Sequence, residues 1–308
     1  MSAAVAAAPR KPFFRRGELW GLFFAAPAII GFFGFTIGPM IYSIFVSFTE
    51  SRLGSIGEWV GLHHYVSIFT TDIHFAQSLR VTFTFAAMSI PLSLGTAFFI
   101  ALLLNTEGLR GVRIWRVIAY VPSIVPAVAS IFLWRWIFNP GHFGIANNIL
   151  SFLGLPNSAF FWSERAVLPS FAFMGVWGIG GTMIIYLAGL QGVPRALYEA
   201  IEIDGGGAFS KFRYATLPYM TPTIFFTLIM GIIGSLQTFM GAFLITEGGP
   251  NNASLFFGLH LFRTAFTLNN LGRAAALSWV LFVIIMFFTL ANFALARFWV
   301  YYEGGEQK

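Results

Sequence analysis

Six long stretches without a charged side chain constrain what this 308-residue chain can fold into. Each is at least 18 residues long and predominantly apolar, close to the roughly 20 residues that a helix needs to cross a bilayer. The stretches are Gly21–Thr49, Val81–Thr106, Val117–Trp134, Ala166–Pro194, Tyr214–Thr246 and Ala274–Ala296. They lack the strict alternation of barrel strands, and lipid offers no partner to open backbone groups, so helices are predicted.

The composition agrees with a membrane location. Charged residues make up 10% of the chain and apolar residues 57%, whereas a soluble domain carries about 25% charge. The chain has no Cys, which excludes a disulfide framework, a Cys-based zinc site and a thiol nucleophile. The predicted fold class is therefore all-α: a polytopic membrane protein with six transmembrane helices.

The distribution of Lys and Arg predicts the orientation. Counted in alternate segments from the N-terminus, 12 of these residues lie on one side of the membrane and 6 on the other. The larger set is Arg10, Lys11, Arg15, Arg16, Arg110, Arg113, Arg116, Arg195, Lys211, Arg213, Arg297 and Lys308, and the smaller is Arg52, Arg80, Arg135, Arg165, Arg263 and Arg273. Positive residues favour the cytoplasmic side, so both termini are expected inside. The net charge of +6 then needs no nucleic-acid partner.

This topology gives a simple domain organisation. Residues 1–18 are predicted to be a basic cytoplasmic arm with no cleaved signal. Residues 19–303 form the six-helix transmembrane domain, which includes a long inner loop at 194–218 between spans four and five. Residues 304–308 are a cytoplasmic tail.

The spans exclude several function classes. No Asp, Glu, Lys, Arg or His lies in the middle of any span, which argues against a proton-coupled carrier and a voltage-gated channel, although Na⁺ coupling stays possible. Neither GxSxG nor HExxH occurs, so no catalytic residue and no metal site are predicted. Gly205–Arg213 holds a Gly cluster and a Lys but not the P-loop spacing. If transport is active, its energy is expected to enter through a partner.

The inner loop has its own pattern. Pro194 suits the first turn of a helix, and Gly205–Gly207 suits the turn that ends it by permitting positive φ. An apolar stripe with an acidic end recurs at helical spacing, at Leu197, Ala200, Ile201 and Asp204. A second short helix around Lys211 is predicted before Leu217-Pro218 opens span five. From the pattern alone, an amphipathic loop resting on lipid headgroups is an equal alternative.

The same loop carries a resemblance to a known family. Its residues stand at the spacing of the EAA motif, EAAxxxGx₉IxLP, of ABC importer permeases, at Glu199, Ala200, Gly205, Leu217 and Pro218. Asp204 and Phe212 also resemble the sugar-transporting branch of that family. Ile201 and Ala215 depart from the motif, both by apolar replacements.

Four further segments carry the resemblance along the chain. Pro39–Ser43 with Ser47–Thr49 resembles the end of the branch's first core helix. Gly61–Tyr65 resembles its GLxNY segment, with His64 where Asn is usual. Matching positions in the outer segments are Gly144, Asn147, Leu150 and Thr246–Pro250. The chain thus resembles carbohydrate-importer permeases of the maltose/glycerol-3-phosphate type.

The resemblance implies a transport subunit with the ABC type I importer permease fold, and not an enzyme. Its coupling residues are Glu199, Ala200, Asp204, Gly205, Leu217 and Pro218. They belong to a coupling helix that docks on a cytoplasmic ATPase, so ATP and Mg²⁺ are expected in that partner and no cofactor in this chain. Closure of two ATPases pushes the coupling helices together and opens the membrane path outward.

The resemblance also implies an assembly in the cytoplasmic (inner) membrane of a bacterium or archaeon. The expected partners are a second homologous permease (most simply in a heterodimer), two cytoplasmic ATP-binding subunits and an extracytoplasmic solute-binding protein. The outer loops Arg135–Arg165 and Glu247–Arg273 are expected to receive the binding protein. Alternatively, these loops only cap the outer gate.

A sugar path needs polar groups and aromatic faces around an apolar cavity. The best candidates near mid-span are Trp177 and Gln237, followed by Ser235 and Thr238; Thr182, Ser278 and Asn292 are further polar positions. The alternative is that the hydroxyls bond their own helix carbonyls and the amides bridge helices. The alternative for the whole chain is a self-sufficient secondary carrier or channel, which needs no ATPase-docking loop.

Overall fold

The computed structural model describes residues 16–106, 108–141 and 143–301. Within these residues no β-strand forms, and the regular structure is helical. The α-helices are α1 (Arg16–Phe32), α2 (Gly38–Val46), α3 (His63–Thr70), α4 (Ile73–Leu104), α5 (Val112–Ile124), α6 (Ala127–Ile137), α7 (Ile145–Phe152), α8 (Val167–Val176), α9 (Gly180–Gln191), α10 (Arg195–Ile203), α11 (Ala208–Lys211), α12 (Leu217–Leu236), α13 (Met240–Ile245), α14 (Phe257–Phe262) and α15 (Leu271–Ala296). Most of the predicted arm 1–18 and the tail 304–308 lie outside the described residues.

Four helical segments are long and apolar enough to cross a membrane: Phe23–Val46, Ile73–Leu104, Ala208–Ile245 and Leu271–Ala296. Two bent helix pairs, α5 with α6 and α8 with α9, also meet this criterion when each pair is taken together. The prediction of a helical, multi-pass membrane chain is confirmed. The described residues contain six spans if each bent pair is one span.

The third predicted span, Val117–Trp134, is two helices that meet at 98°. The break lies at Val125 and Pro126, which both have extended backbone. Proline has no N–H to donate and forces the residue before it away from helical geometry. The charge-free stretch therefore predicted the location of the element but not its bend.

The fourth span bends by 51° between α8 and α9. The break comprises Trp177, Gly178 and Ile179. Glycine lowers the cost of leaving helical geometry at such a position, and neighbouring helices in a membrane supply the packing that tolerates it.

Two helix boundaries differ from the sequence prediction. α4 begins at Ile73, not Val81, because Asp72 caps its N-terminus by accepting hydrogen bonds from the amides of His74 and Phe75. The helix therefore runs through Arg80, a charge that the sequence placed in the outer loop. The predicted short helix around Lys211 is the first turn of a continuous helical segment, which passes through a π-helical turn at Phe212–Thr216 into α12.

α4 is the centre of the packing, since it contacts α8, α9 and α12. One cluster between α4, α9 and α12 buries Met183 and Met220 completely. In the same region the Tyr186 hydroxyl hydrogen-bonds to Thr227 Oγ1 at 2.7 Å. A second cluster buries Phe161 and Phe256 completely and joins α4 to the segments 135–165 and 247–273. These clusters hold the ends of the bent helices in place.

Gly180 and Gly181 offer a matched test of the contact between α5 and α9. A Cβ at Gly180 would lie 2.9 Å from the Ala119 carbonyl oxygen and from Tyr120 Cα. At Gly181, no heavy atom of the described residues lies within 4 Å of such a Cβ. We expect Gly180→Ala to destabilise the chain by about 1–3 kcal/mol through overpacking, and Gly181→Ala to be neutral, in thermal melts of the detergent-solubilised protein. Equal melting temperatures would contradict the close crossing.

Candidate functional site

The inner loop forms a short helix with a well-defined end. α10 begins directly after Pro194, whose backbone is extended. The N–H that proline lacks would have no partner at the start of a helix, so proline costs little there. At its C-terminus the Gly206 amide donates to the Ile201 carbonyl at 2.8 Å, and the Gly205 amide donates to the backbone carbonyl of Glu202 at 2.9 Å. This pair of bonds is the Schellman motif. Of the three glycines, Gly205 alone has positive φ, at +76°.

Two side-chain contacts tie α10 to the start of α12. The Tyr198 hydroxyl lies 3.0 Å from Thr216 Oγ1. Lys211 forms an ion pair with Glu202, so α11 is held against α10 as well. Since α11 continues into α12, these contacts connect α10 to the long helical segment that contains α12.

Several apolar side chains of this loop are exposed within the described chain. Every residue of α10 is at least partly exposed within the described chain. Ile203 is 86% exposed and Phe209 is 77% exposed, and Leu197 and Tyr214 add further exposed apolar surface. Exposed apolar patches of this kind mark contact with another protein or with a membrane.

The structure divides the predicted coupling residues between α10 with its C-terminal turn and the start of α12. Glu199, Ala200 and Asp204 are exposed, whereas Leu217 and Pro218 are half-buried in the first turn of α12. The predicted stripe does not pack against its own chain: only Ile201 is partly covered, because the backbone turns back at Gly206.

The candidate path residues lie at helix breaks. Trp177 lies in the break between α8 and α9 and is 40% exposed, with its ring 5.8 Å from that of Trp134. Gln237 ends α12 and is exposed. Ser235 Oγ and Thr238 Oγ1 donate to the carbonyls of Ile232 and Gly234, at 3.1 and 3.3 Å. Both hydroxyls therefore bond to carbonyls of their own helical segment, which is the alternative to a role in the sugar path.

The polar side chains Ser278 and Asn292 in α15 also bond to carbonyls of their own helix. Ser278 donates to Ala274 at 3.0 Å, and Asn292 donates to Phe288 at 3.3 Å, both within α15. The exposed groups Trp177 and Gln237 therefore remain the better candidates for contact with a transported molecule.

Two of the segments that carry the family resemblance, Ser47–Thr49 and Gly61–Tyr65, are in contact. His64 is buried, and its Nε2 donates to the Thr49 carbonyl at 3.0 Å. The neighbouring Tyr65 hydroxyl lies 2.8 Å from Ser47 Oγ. The first amide of α15, at Leu271, donates to the Ser51 carbonyl at 2.9 Å. His64 thus supports the junction between α2, α3 and α15.

A buried ionic cluster joins α4, α14 and α15, and the sequence analysis did not identify it. Asp72 Oδ2 lies 2.9 Å from His260 Nε2 and 2.8 Å from Arg273 Nη2. Burial raises the pKa of Asp72, but the charges and hydrogen bonds of His260, the His74 amide and Arg273 outweigh it and lower the pKa. Burial lowers the pKa of His260, against the attraction of Asp72. Asp72 was recognisable as a helix cap, but nothing local linked it to His260.

The cluster predicts an acid-sensitive stability. With its pKa lowered, His260 binds a proton less readily in the folded than in the unfolded chain. Stability is therefore retained above the ordinary histidine pKa of about 6.5 and lost as pH falls below it. We expect the melting temperature of His260→Gln to fall less between pH 7 and pH 5 than that of the parent, in tryptophan-fluorescence melts. The exposed His63→Gln variant should keep the parent slope; a parent slope in His260→Gln would refute the assignment.

Hydrogen bonds stabilise the segments 135–165 and 247–273 and join them to each other. Asn147 is buried, donates to the Ser158 carbonyl at 3.0 Å and accepts from the Ser158 amide at 2.9 Å. The side-chain amide of Asn251 donates to the carboxylate of Glu164, and this bond joins the two segments. These bonds give the outer surface a defined shape.

Comparison with known proteins agrees with this geometry. Residues 109–302 match the family described as binding-protein-dependent transport system inner membrane component. The probable ABC transporter permease protein YesP of Bacillus subtilis (strain 168) is 39% identical over 297 residues, 95% of each chain. The trehalose/maltose transport system permease protein MalF of Thermococcus litoralis is 33% identical over 78% of this chain and 80% of its own. The lactose transport system permease protein LacF of Rhizobium radiobacter is 30% identical over 90% and 94%.

The fold is also found in a solved structure. A chain of a bacterial alginate ABC transporter, in complex with a periplasmic protein that holds an alginate pentasaccharide, superposes with a TM-score of 0.79. That likeness covers 91% of this chain and 95% of the other, at 23% identity. Since the family match spans most of the chain and the relatives align along most of its length, the chain belongs to the family of binding-protein-dependent transport system inner membrane components, which are transport subunits and not enzymes.

Proposed function

We propose that this chain is the membrane-spanning permease subunit of an ABC importer for a sugar or sugar derivative that an extracytoplasmic solute-binding protein delivers. The relatives named for lactose and for trehalose/maltose support the substrate class. The observation that carries the proposal is the exposed, amphipathic α10, which Tyr198 and Lys211 connect to the helical segment that contains α12.

The proposed coupling residues are Glu199, Ala200, Asp204, Gly205, Leu217 and Pro218. α10 docks in a cleft of a cytoplasmic ATPase, with Ile203 and Phe209 covered in the complex. ATP and Mg²⁺ are bound by that partner. When two ATPases close, α10 and α12 move as one body, and the membrane path changes its accessible side.

The proposed topology has six spans, with each bent pair as one span, and both termini in the cytoplasm. It is supported by the excess of Lys and Arg on the α10 side of the chain. The transmembrane domain is residues 19–303, the arm is 1–18 and the tail is 304–308. The proposed location is the cytoplasmic membrane of a bacterium or archaeon.

The proposed assembly contains a second, homologous permease in a heterodimer and two ATP-binding subunits. The face of α5 away from α9 supports a permease partner, because none of the described residues of α5 is buried within this chain. The outer segments Arg135–Arg165 and Glu247–Arg273 receive the solute-binding protein. Their internal bonds, such as that from Asn251 to Glu164, suit a preformed docking surface.

Co-purification and uptake test this function. The detergent-solubilised, tagged chain is expected to retain an ATPase subunit encoded with it. Vesicles that hold the complex should accumulate sugar only with internal ATP and external binding protein. Uptake by the chain alone, driven by a Na⁺ gradient, would instead establish a secondary carrier.

The path proposal has its own test in Trp177→Ala and Gln237→Ala. Each removes an exposed group at a helix break, so each should raise the KM of sugar uptake by about tenfold, the effect of losing one good ligand contact. Ser278→Ala is the control, because that hydroxyl bonds its own helix. Unchanged uptake rate and selectivity in the first two variants would remove both residues from the path.

A further inference from the structure

An open groove lies between α5 and α9 on the α10 side of their crossing. The two helices approach closely at Gly180, where a Cβ would lie 2.9 Å from Ala119 O, and residues of both helices line the groove beside this crossing. The groove has a volume of about 340 Å³. Its apolar lining comes from Val117, Ile184, Leu187 and Ala188.

A basic residue that lines this groove has a buried donor that is unpaired within the described chain. Arg116 lines the groove, and its Nε is buried with no hydrogen-bond partner among the described residues. A buried charged donor without an acceptor is costly, so an acceptor from outside the described chain is expected. Arg113 precedes Arg116 by one helical turn on α5, which adds positive charge beside it.

The groove also lies at a defined depth. Arg116 immediately precedes the third charge-free stretch, and Gln191 is the last residue of α9. Both line the groove. In the proposed orientation, this is the level of the lipid headgroups of the inner leaflet, with the apolar lining directed into the hydrocarbon region.

We propose that this groove binds an anionic phospholipid of the inner leaflet, with the phosphate on Arg116 and an acyl chain between α5 and α9. A guanidinium matches the geometry of a phosphate, and basic pockets between membrane helices on the cytoplasmic side suit anionic headgroups. A free anion would leave the apolar lining uncovered, whereas a phospholipid satisfies the charge and the lining together. The proposal rests on the orientation given under the proposed function.

The test compares lipid retention by two variants of the purified transporter complex. Delipidated complex in phosphatidylcholine nanodiscs is titrated with phosphatidylglycerol, and bound phosphatidylglycerol is counted by native mass spectrometry. Arg116→Gln should weaken its binding by about tenfold, the loss of a charge-assisted hydrogen bond. Arg297→Gln is the matched control, since Arg297 is an exposed cation on the same proposed side and does not line the groove. Equal binding in both variants would overturn the proposal.

A second variant keeps the charge and fills the groove. Ala188→Trp should lower phosphatidylglycerol binding although Arg116 is intact, and retained binding would contradict an acyl chain in the groove. The chain has no Cys, so Ala188→Cys places a single thiol there. Cross-linking of this thiol to the second permease would show that protein occupies the groove and would also overturn the proposal. ATPase co-purification is measured separately, so failure of the lipid site and failure of the proposed function give different results.

Discussion

Replacing Gly205 by Asp is expected to leave the chain in the membrane and to remove most of its stimulation of a partner ATPase. Gly205 has a φ of +76°, which costs an L-residue about 1–2 kcal/mol, with Asp towards the lower end of that range. A Cβ there meets no described heavy atom within 4 Å, so the fold itself has room for the side chain. The strain instead loosens the Schellman turn that ends α10. We expect stimulation to fall by about tenfold, in line with that cost.

The neighbouring Gly207 supplies the control for this prediction. Its φ of −83° suits any residue, and it precedes the first turn of α11, where Asp is a favourable cap. Gly207→Asp adds the same charge two residues away and should keep nearly the parent stimulation. ATPase activity of the reconstituted complex, with membrane insertion checked by fractionation, is the measurement. Parent-level stimulation in Gly205→Asp would count against the role of the turn, and equal loss in both variants would assign the effect to charge.

Replacing Gly272 by Ala is expected to have the largest effect on stability. A Cβ there would overlap the Thr49 carbonyl oxygen and lie 2.7 Å from His64 Nε2. Because one obstacle is backbone and the other is a buried ring, α15 would have to withdraw from the Ser51 carbonyl. We expect a loss of about 3 kcal/mol, at the upper end for overpacking, and a matching fall in expression.

Gly95→Ala is the control for that variant. Gly95 lies inside α4, and no heavy atom of the described chain lies within 4 Å of a Cβ built on it. Alanine is the better helix former by roughly 0.5–1 kcal/mol, so this variant should melt at or above the parent temperature. A Gly272→Ala protein that melts with the parent would show that α15 does not approach Thr49 this closely.

The sequence was most informative where the determinant is local. Helical spans follow from charge-free length and the bilayer thickness, and the turn at Gly205 follows from glycine at the end of a short amphipathic helix. Both are properties of a few neighbouring residues. The helix N-cap at Asp72 is equally local, yet the charge at Arg80 concealed it, because a bounding charge was used to set the end of the span.

What the amino-acid sequence determined by itself is therefore the class of the chain, the approximate location of its long apolar helical segments and the short helix that ends at Gly205. Only the tertiary structure decided the 98° bend at Pro126, the pairing of Asp72 with His260 and the groove beside Arg116. The physical reason is that a proline permits a break without setting its angle. A buried charge likewise needs a partner without specifying which distant residue supplies it. Packing around α4 sets the angle of the bend and the partner of Asp72, because it brings together residues that lie far apart along the chain.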